Sequence, residues 1–319
     1  MDFFLHTVDM PFSGSKIVYK ELNCKQLLSL NKLNLNLPYQ KDCIEDYSKL
    51  FLEIISDCVK NKQDLLNLNL IEYLMFVTKL RISTLGDIIE ISSKEKTENS
   101  SDTIKKIKFE FNLSQFIEKL FNIGQELNFI EPINTEDYDI ELDWPIVKRE
   151  FNFLKEKKEE QIFNIILESV PFFIKQIKFI KNNKIISFKD LTNKEIHKLY
   201  NNLSIKIQRK IQNIVFKNLE SLNNYNIWDI ESLSEGLNLY NGNYQNLLRI
   251  FFEENLNTIY EDYYVLASKN ITPEYQDQMS IADKKMFVTI ILKEIEAEKE
   301  KSNPDSVTNL PPDSWGNFE

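Results

Sequence analysis

The residues from Asn69 to Ile91, NLIEYLMFVTKLRISTLGDIIEI, restrict the possible folds more than any other stretch of the chain. On a helical wheel Leu70, Leu74 and Val77 form one stripe, Tyr73 and Leu80 widen it, and Met75 and Phe76 fill most of the remaining circumference. Only Glu72 and Lys79 leave a polar strip. A helix apolar nearly all round belongs inside a domain, so this one is expected at the centre of the first. Asn69 is placed to cap it, with Glu72 reaching back from the third helical position as in a capping box. Gly86 ends the turn, and Asp87 to Ile91 reads as a short strand.

The flanking sequence supplies what this helix can pack against. Residues 3–8 and 16–21 read as short strands joined through Met10-Pro11-Phe12-Ser13-Gly14-Ser15. Asn23 can cap a short helix through Leu30, leaving Asn31 to Gln40 as a loop. Asp42 opens a helix with Ile44, Tyr47, Phe51, Ile54, Ile55 and Cys58 on one side, expected to pack on the buried helix. SSKEKTENSSD reads as a polar loop, after which Ile107, Phe109, Phe111 and Leu113 alternate as a strand that pairs with Ile88 to Ile91. Ser114 to Ile123 reads as a helix stopped by Gly124, and Tyr138, Ile140 and Leu142 alternate until Trp144-Pro145. These elements make a helical domain with a small antiparallel sheet over residues 1–150.

Residues 151–235 read as a helix, a hairpin and two further helices. The hairpin runs from Phe173 to Phe188 about Asn182-Asn183, with Ile177, Phe179, Ile185 and Phe188 apolar. Thr192 to Glu195 is a capping box, and Ser204 caps a helix carrying Ile207, Ile211, Ile214 and Leu222. A helical C-terminal module is expected over 243–301, with Leu248, Phe252, Leu256, Ile259 and Tyr263 in one stripe, a break from Asn270 to Gln278, and a last helix capped at Ser280. Residues 302–319 are polar and Pro-rich, a flexible or docking tail. The fold class is therefore α+β, predominantly helical, with small antiparallel hairpins.

At 319 residues and 42% hydrophobic content the chain can bury a real core. It has six glycines and neither a GxGxxG nor a GxxxxGK[ST] loop to cradle phosphates. A formal charge of −10 argues against a surface built wholly for nucleic acid. Cys24, Cys43 and Cys58 lack metal spacing and read as reduced thiols of a cytosolic protein. His6 and His197 stand in no ligand or general-base pattern, and the carboxylates of 294–298 lie in a Lys-rich helix where ion pairing accounts for them. No signal peptide, membrane span, metal site, cofactor or catalytic residue is expected.

Two features invite a partner. Between Lys175 and Lys210 there are ten basic residues against Asp190 and Glu195, a local charge of +8. Lys175, Lys178, Lys181, Lys184, Lys206, Arg209 and Lys210 are the candidate phosphate contacts, with Phe179 or Tyr200 for base stacking. The plainer reading, which the scarcity of Arg favours, is the polar side of an apolar hairpin and helix pair. In the tail, Leu310, Pro311, Pro312, Trp315 and Phe318 are candidate partner-binding residues, since large apolar groups there have no core of their own.

The order of segments is similar to that of the baseplate hub protein family of contractile-tailed phages of the T-even type. It runs from MPFSGSKIVYKEL through the helix ending SDCV to LNLIEYLMFVTKLRISTLGDIIEI, KFEFNL, IELDWP, IFNIILESVPFFIKQIKFIKNNKIISF and LTNKEIHKLYNNLSIKIQRKIQNIVFKNL, about residues 8–222. The strand-rich segment Asn128 to Pro145 and the Trp-containing tail find no counterpart in that pattern. The resemblance implies a non-enzymatic subunit or assembly chaperone of the hub, made in host cytoplasm and incorporated into or released from the virion baseplate, whose partners are other baseplate or tail hub proteins. The alternative from the residues alone is an adaptor with a nucleic-acid-contacting surface at Lys175 to Lys210. An enzyme comes third, with no residue to nominate. Nothing in the sequence sets an oligomeric state.

Overall fold

A computed structural model describes residues 6–36, 44–96, 104–126, 132–147, 167–223 and 244–302. The chain divides into two compact units: the first comprises Met1–Leu22 and Ser29–Glu253, the second Asn23–Leu28 and Glu254–Glu319.

The first unit is built on the expected helix, here α4 (Leu70–Leu85), after α1 (Cys24–Asn36), whose residues from Ser29 on belong to this unit, α2 (Ile44–Ser56) and the short α3 (Lys62–Leu66). Twelve of the sixteen α4 residues are buried. The Asn69 side chain accepts from the Glu72 amide at 2.9 Å, and Gly86 closes the helix at φ 94°, a conformation only glycine adopts without strain. The other half of the capping box is absent. Glu72 is fully buried, and its Oε1 accepts from the backbone N–H groups of Phe12 at 2.9 Å and Ser13 at 2.7 Å. The expected polar strip is thus half-buried Lys79 alone, because the turn between β1 (His6–Asp9) and β2 (Lys16–Tyr19) lies over the carboxylate.

That turn also explains Gly124. α5 (Leu113–Glu126) does not stop there; it runs through the glycine, where a Cβ would collide with the Phe12 ring. Phe12 stacks on Phe121 one helical turn earlier, at 5.9 Å between centroids. The glycine makes room for a side chain, not for a bend. Nor does α1 end at Leu30. Asn31 is buried and donates from Nδ2 to the Phe252 carbonyl at 3.0 Å, while Asn34 accepts from the Tyr47 hydroxyl at 2.9 Å. Tertiary partners satisfy the amides that would otherwise favour a loop.

The face of α2 bearing Tyr47, Phe51 and Ile55 is buried. Its aromatic partners come from the end of the unit. Phe51 meets Phe252, and Arg249 lies 4.5 Å above the Tyr47 ring. Cys58 is buried but sits in the turn beyond the helix. The strand expected at Ile88 to Ile91 continues as β3 (Ile88–Lys96), pairing along its whole length with β4 (Ile104–Asn112), so SSKEK belongs to the hairpin. Cross-strand bonding proceeds there without an apolar face at every pair.

The remaining strands form one antiparallel sheet in the order β5 (Ile133–Asn134), β6 (Tyr138–Leu142), β7 (Ile174–Phe179), β8 (Lys184–Ser187). Because β6 pairs with β7, the sheet bridges the boundary drawn at residue 150. Asn183 at φ 52° turns the β7–β8 hairpin, and Ile177 and Phe188 are buried while Ile185 is exposed. The Thr192 capping box is complete, opening α6 (Asn193–Asn201), and α7 (Ile205–Asn223) follows. The unit closes with α8 (Tyr244–Phe251), whose Phe251 carbonyl accepts from Arg81 of α4 and whose ring meets Phe116 of α5 edge-on.

The second unit begins where the long apolar stripe breaks. Residues 252–255 interrupt it, and α9 (Leu256–Ser268) starts afresh with Asn255 as its cap. Within the expected break, Pro273 occupies the first turn of α10 (Pro273–Gln278), where its missing N–H costs nothing. Ser280 caps α11 (Ile281–Ser302), with its hydroxyl accepting from the Asp283 amide at 3.0 Å.

Candidate functional site

The basic stretch meets acids that its own sequence window does not contain. Lys175 and Lys178 lie on β7, Lys181 follows in the turn and Lys184 starts β8. The neighbouring β6 segment sets Asp139 opposite Lys178, brings Glu141 to 3.7 Å from Lys175, and Asp137 to 2.8 Å from Lys181. The hydrogen bond to Asp137 and its charge raise the Lys181 pKa. Three of the four hairpin lysines therefore have a carboxylate beside them, which lowers the local potential below what the +8 count suggests. Lys206, Arg209 and Lys210 are exposed on α7. Of the aromatic residues considered for base stacking, Tyr200 is buried and Phe179 packs edge-on against Tyr138 at 5.2 Å.

Leu310, Pro311, Pro312, Trp315 and Phe318 lie outside the described residues. His6 pairs with Glu21 at 3.1 Å and stacks on Tyr19, and His197 meets the Phe172 ring edge-on at 5.3 Å.

A polar cluster that sequence reasoning missed lies within the second unit. Lys284 of α11 is 3% exposed, donates from Nζ to the Ile259 carbonyl at 3.2 Å, stands 3.6 Å from Asp262, and lies 4.2 Å above the Tyr263 ring. The Tyr263 hydroxyl donates to Asp277 at 2.8 Å. Cys24 reaches the same place, its Sγ 3.9 Å from the Ser280 carbonyl and its amide bonded to Met279. Burial pushes the Cys24 thiol up to about 11, raises Tyr263 together with its bond to Asp277, and lowers Lys284 against the pull of Cys24 and Asp262. Each of these groups holds another, which ties α9, α10 and α11 together. The signal was present in the spacing: Ile281, Lys284, Val288, Ile291 and Ile295 alternate by three and four, so Lys284 occupies an inward position.

A half-buried acid, Asp143, sits in the first unit. Its carboxylate accepts from the Trp144 amide at 2.8 Å, and burial raises its pKa. Among the described residues no group of three or more His, Cys, Asp or Glu is arranged to hold a metal ion, and no helix is long and apolar enough to cross a membrane.

Fold and contacts together define a predominantly helical α+β protein whose polar clusters are used in packing. Residues 4–225 match the family model described as T4 bacteriophage base plate protein, and the chain belongs to that family. It is a T4-like phage baseplate protein, with a structural role in the tail. The match runs through Asn128 to Pro145, the strand-rich segment that the segment pattern did not cover. No curated protein and no solved structure matches the chain.

Proposed function

We propose that the protein is a subunit of the baseplate hub, or a factor that assembles it, acting through contacts with other baseplate and tail proteins in the host cytoplasm and not through catalysis. The family match over residues 4–225 carries this reading. The engagement of Glu72, Asp262, Tyr263 and Lys284 in contacts within the fold is in keeping with the non-enzymatic part, since catalysis needs a group poised toward a substrate. The basic-surface alternative has no comparable support, because β6 sets carboxylates beside Lys175, Lys178 and Lys181.

The test is quantitative mass spectrometry of purified virions beside affinity purification of the tagged chain from infected cells. A subunit is present at a fixed ratio to other baseplate proteins in both samples. An assembly factor is bound to baseplate intermediates and missing from virions. Absence from both sets aside the hub role.

A further inference from the structure

The second unit carries an apolar face that its own packing leaves open. α9 and α11 run in the same direction: Lys284 near the start of α11 meets Ile259 and Asp262, and Glu294 further along meets Lys269 just past the end of α9 at 3.0 Å. Ile259 and Leu266 are the buried positions of α9, and Ile281, Lys284, Val288 and Ile291 those of α11. Turning about 100° per residue from these stripes puts Tyr260 and Tyr264 on one flank of α9, and Phe287 and Ile290 on the flank of α11 toward the same side. Their exposures are 49, 79, 37 and 47%.

At about 200 Å² per large side chain, the four expose roughly 400 Å², within the range of the largest apolar patch of a soluble protein, which is often a functional one. This is short of the roughly 800 Å² per partner of a standard interface between folded proteins, and suits one helix laid along two. Charge separates the occupants. Asp283 stands on the same side, and the described part of the unit, residues 23–28 and 254–302, holds ten acidic against seven basic residues. A second copy would bring acids against acids, whereas a basic partner would be drawn in.

We propose that Tyr260, Tyr264, Phe287 and Ile290 form a docking face for a basic amphipathic helix of another tail protein. The face lies beyond the residues matched by the family model. The identity of the partner as a tail protein rests on the hub reading; the face itself does not.

The probe is a designed 20-residue helix with a Leu stripe flanked by Lys, with a Glu-flanked twin, titrated by fluorescence anisotropy against the full chain. The Lys-flanked helix is expected to bind, and to lose affinity at least about tenfold with added salt and again with the exposed double substitution Y264S/F287S. Circular dichroism confirms that the variant keeps its fold. No binding, equal binding of the Glu-flanked helix, or unchanged binding to the variant overturns the proposal. A dimer of the chain that Y264S/F287S dissolves assigns the face to a second copy, and a tenfold gain in affinity on removing residues 303–319 assigns it to the chain's own tail; either result also overturns it. None of these readouts depends on baseplate assembly, so the face and the hub role fail separately.

Discussion

Replacing Glu72 tests the least expected contact of the first unit. Its Oε1 accepts from the amides of Phe12 and Ser13 at 2.9 and 2.7 Å, and the group is fully buried. Hydrogen bonds to a charged acceptor contribute about 1.5–3 kcal/mol each, which sets an upper range of roughly 3–6 kcal/mol for the pair. Against this stands the cost of burying a carboxylate whose Oε2 has no partner among the described residues. The expected net loss for Glu72→Ala is about 2–4 kcal/mol. Glu72→Gln keeps an accepting oxygen and sheds the charge, so it should lose only about 1–2 kcal/mol. Amide hydrogen exchange read at Phe12 and Ser13 isolates this site. In E72A their protection should fall about 30- to 700-fold, the same free energy expressed as a rate ratio. Unchanged protection in E72A would refute the clamp, and an E72Q variant as unprotected as E72A would show that charge alone, not the accepting oxygen, holds the turn.

Gly124→Ala should lower stability by about 1–2 kcal/mol in urea unfolding, the collision with Phe12 outweighing the roughly 1 kcal/mol gained in helix propensity, and in a Phe12→Leu background the sign should reverse. Asp262→Asn leaves Lys284 buried with less compensation and should cost about 2 kcal/mol in thermal unfolding of the full chain, whereas Lys284→Met removes the buried charge and should fall within about 1 kcal/mol of the parent. The Cys24 thiol, raised by burial to about 11, is more stable as the neutral form in the fold; at pH 8 its alkylation, followed by mass spectrometry, should be at least about a hundredfold slower than in the urea-unfolded chain. Comparable rates in the two states would contradict the burial of Cys24.

What could be read in the sequence was what local chemistry decides. The apolar circumference of 70–80 placed α4 in the core, and Asn69, Thr192 and Ser280 capped helices through atoms within three residues. What escaped was decided at a distance. Asn31 remains helical because the Phe252 carbonyl, 221 residues away, takes its amide; Gly124 remains helical because Phe12 needs the space; Glu72 turns from its cap to a loop 59 and 60 residues earlier. The basic window was misleading for the same reason, since its compensating acids come from β6, some forty residues upstream. Lys284 was the missed opportunity, an inward heptad position occupied by a charge, whose partners Asp262 and Tyr263 lie one helix pair earlier.

The central claim is tested most directly by electron microscopy of lysates from phage in which this gene is disrupted and then restored in trans. Whether the chain is a hub subunit or a hub-assembly factor, the disrupted phage should yield heads and incomplete tail parts without finished baseplates, and complementation should return contractile tails. Normal tails with complete baseplates and undiminished infectivity in the disrupted phage would contradict a role in building the baseplate.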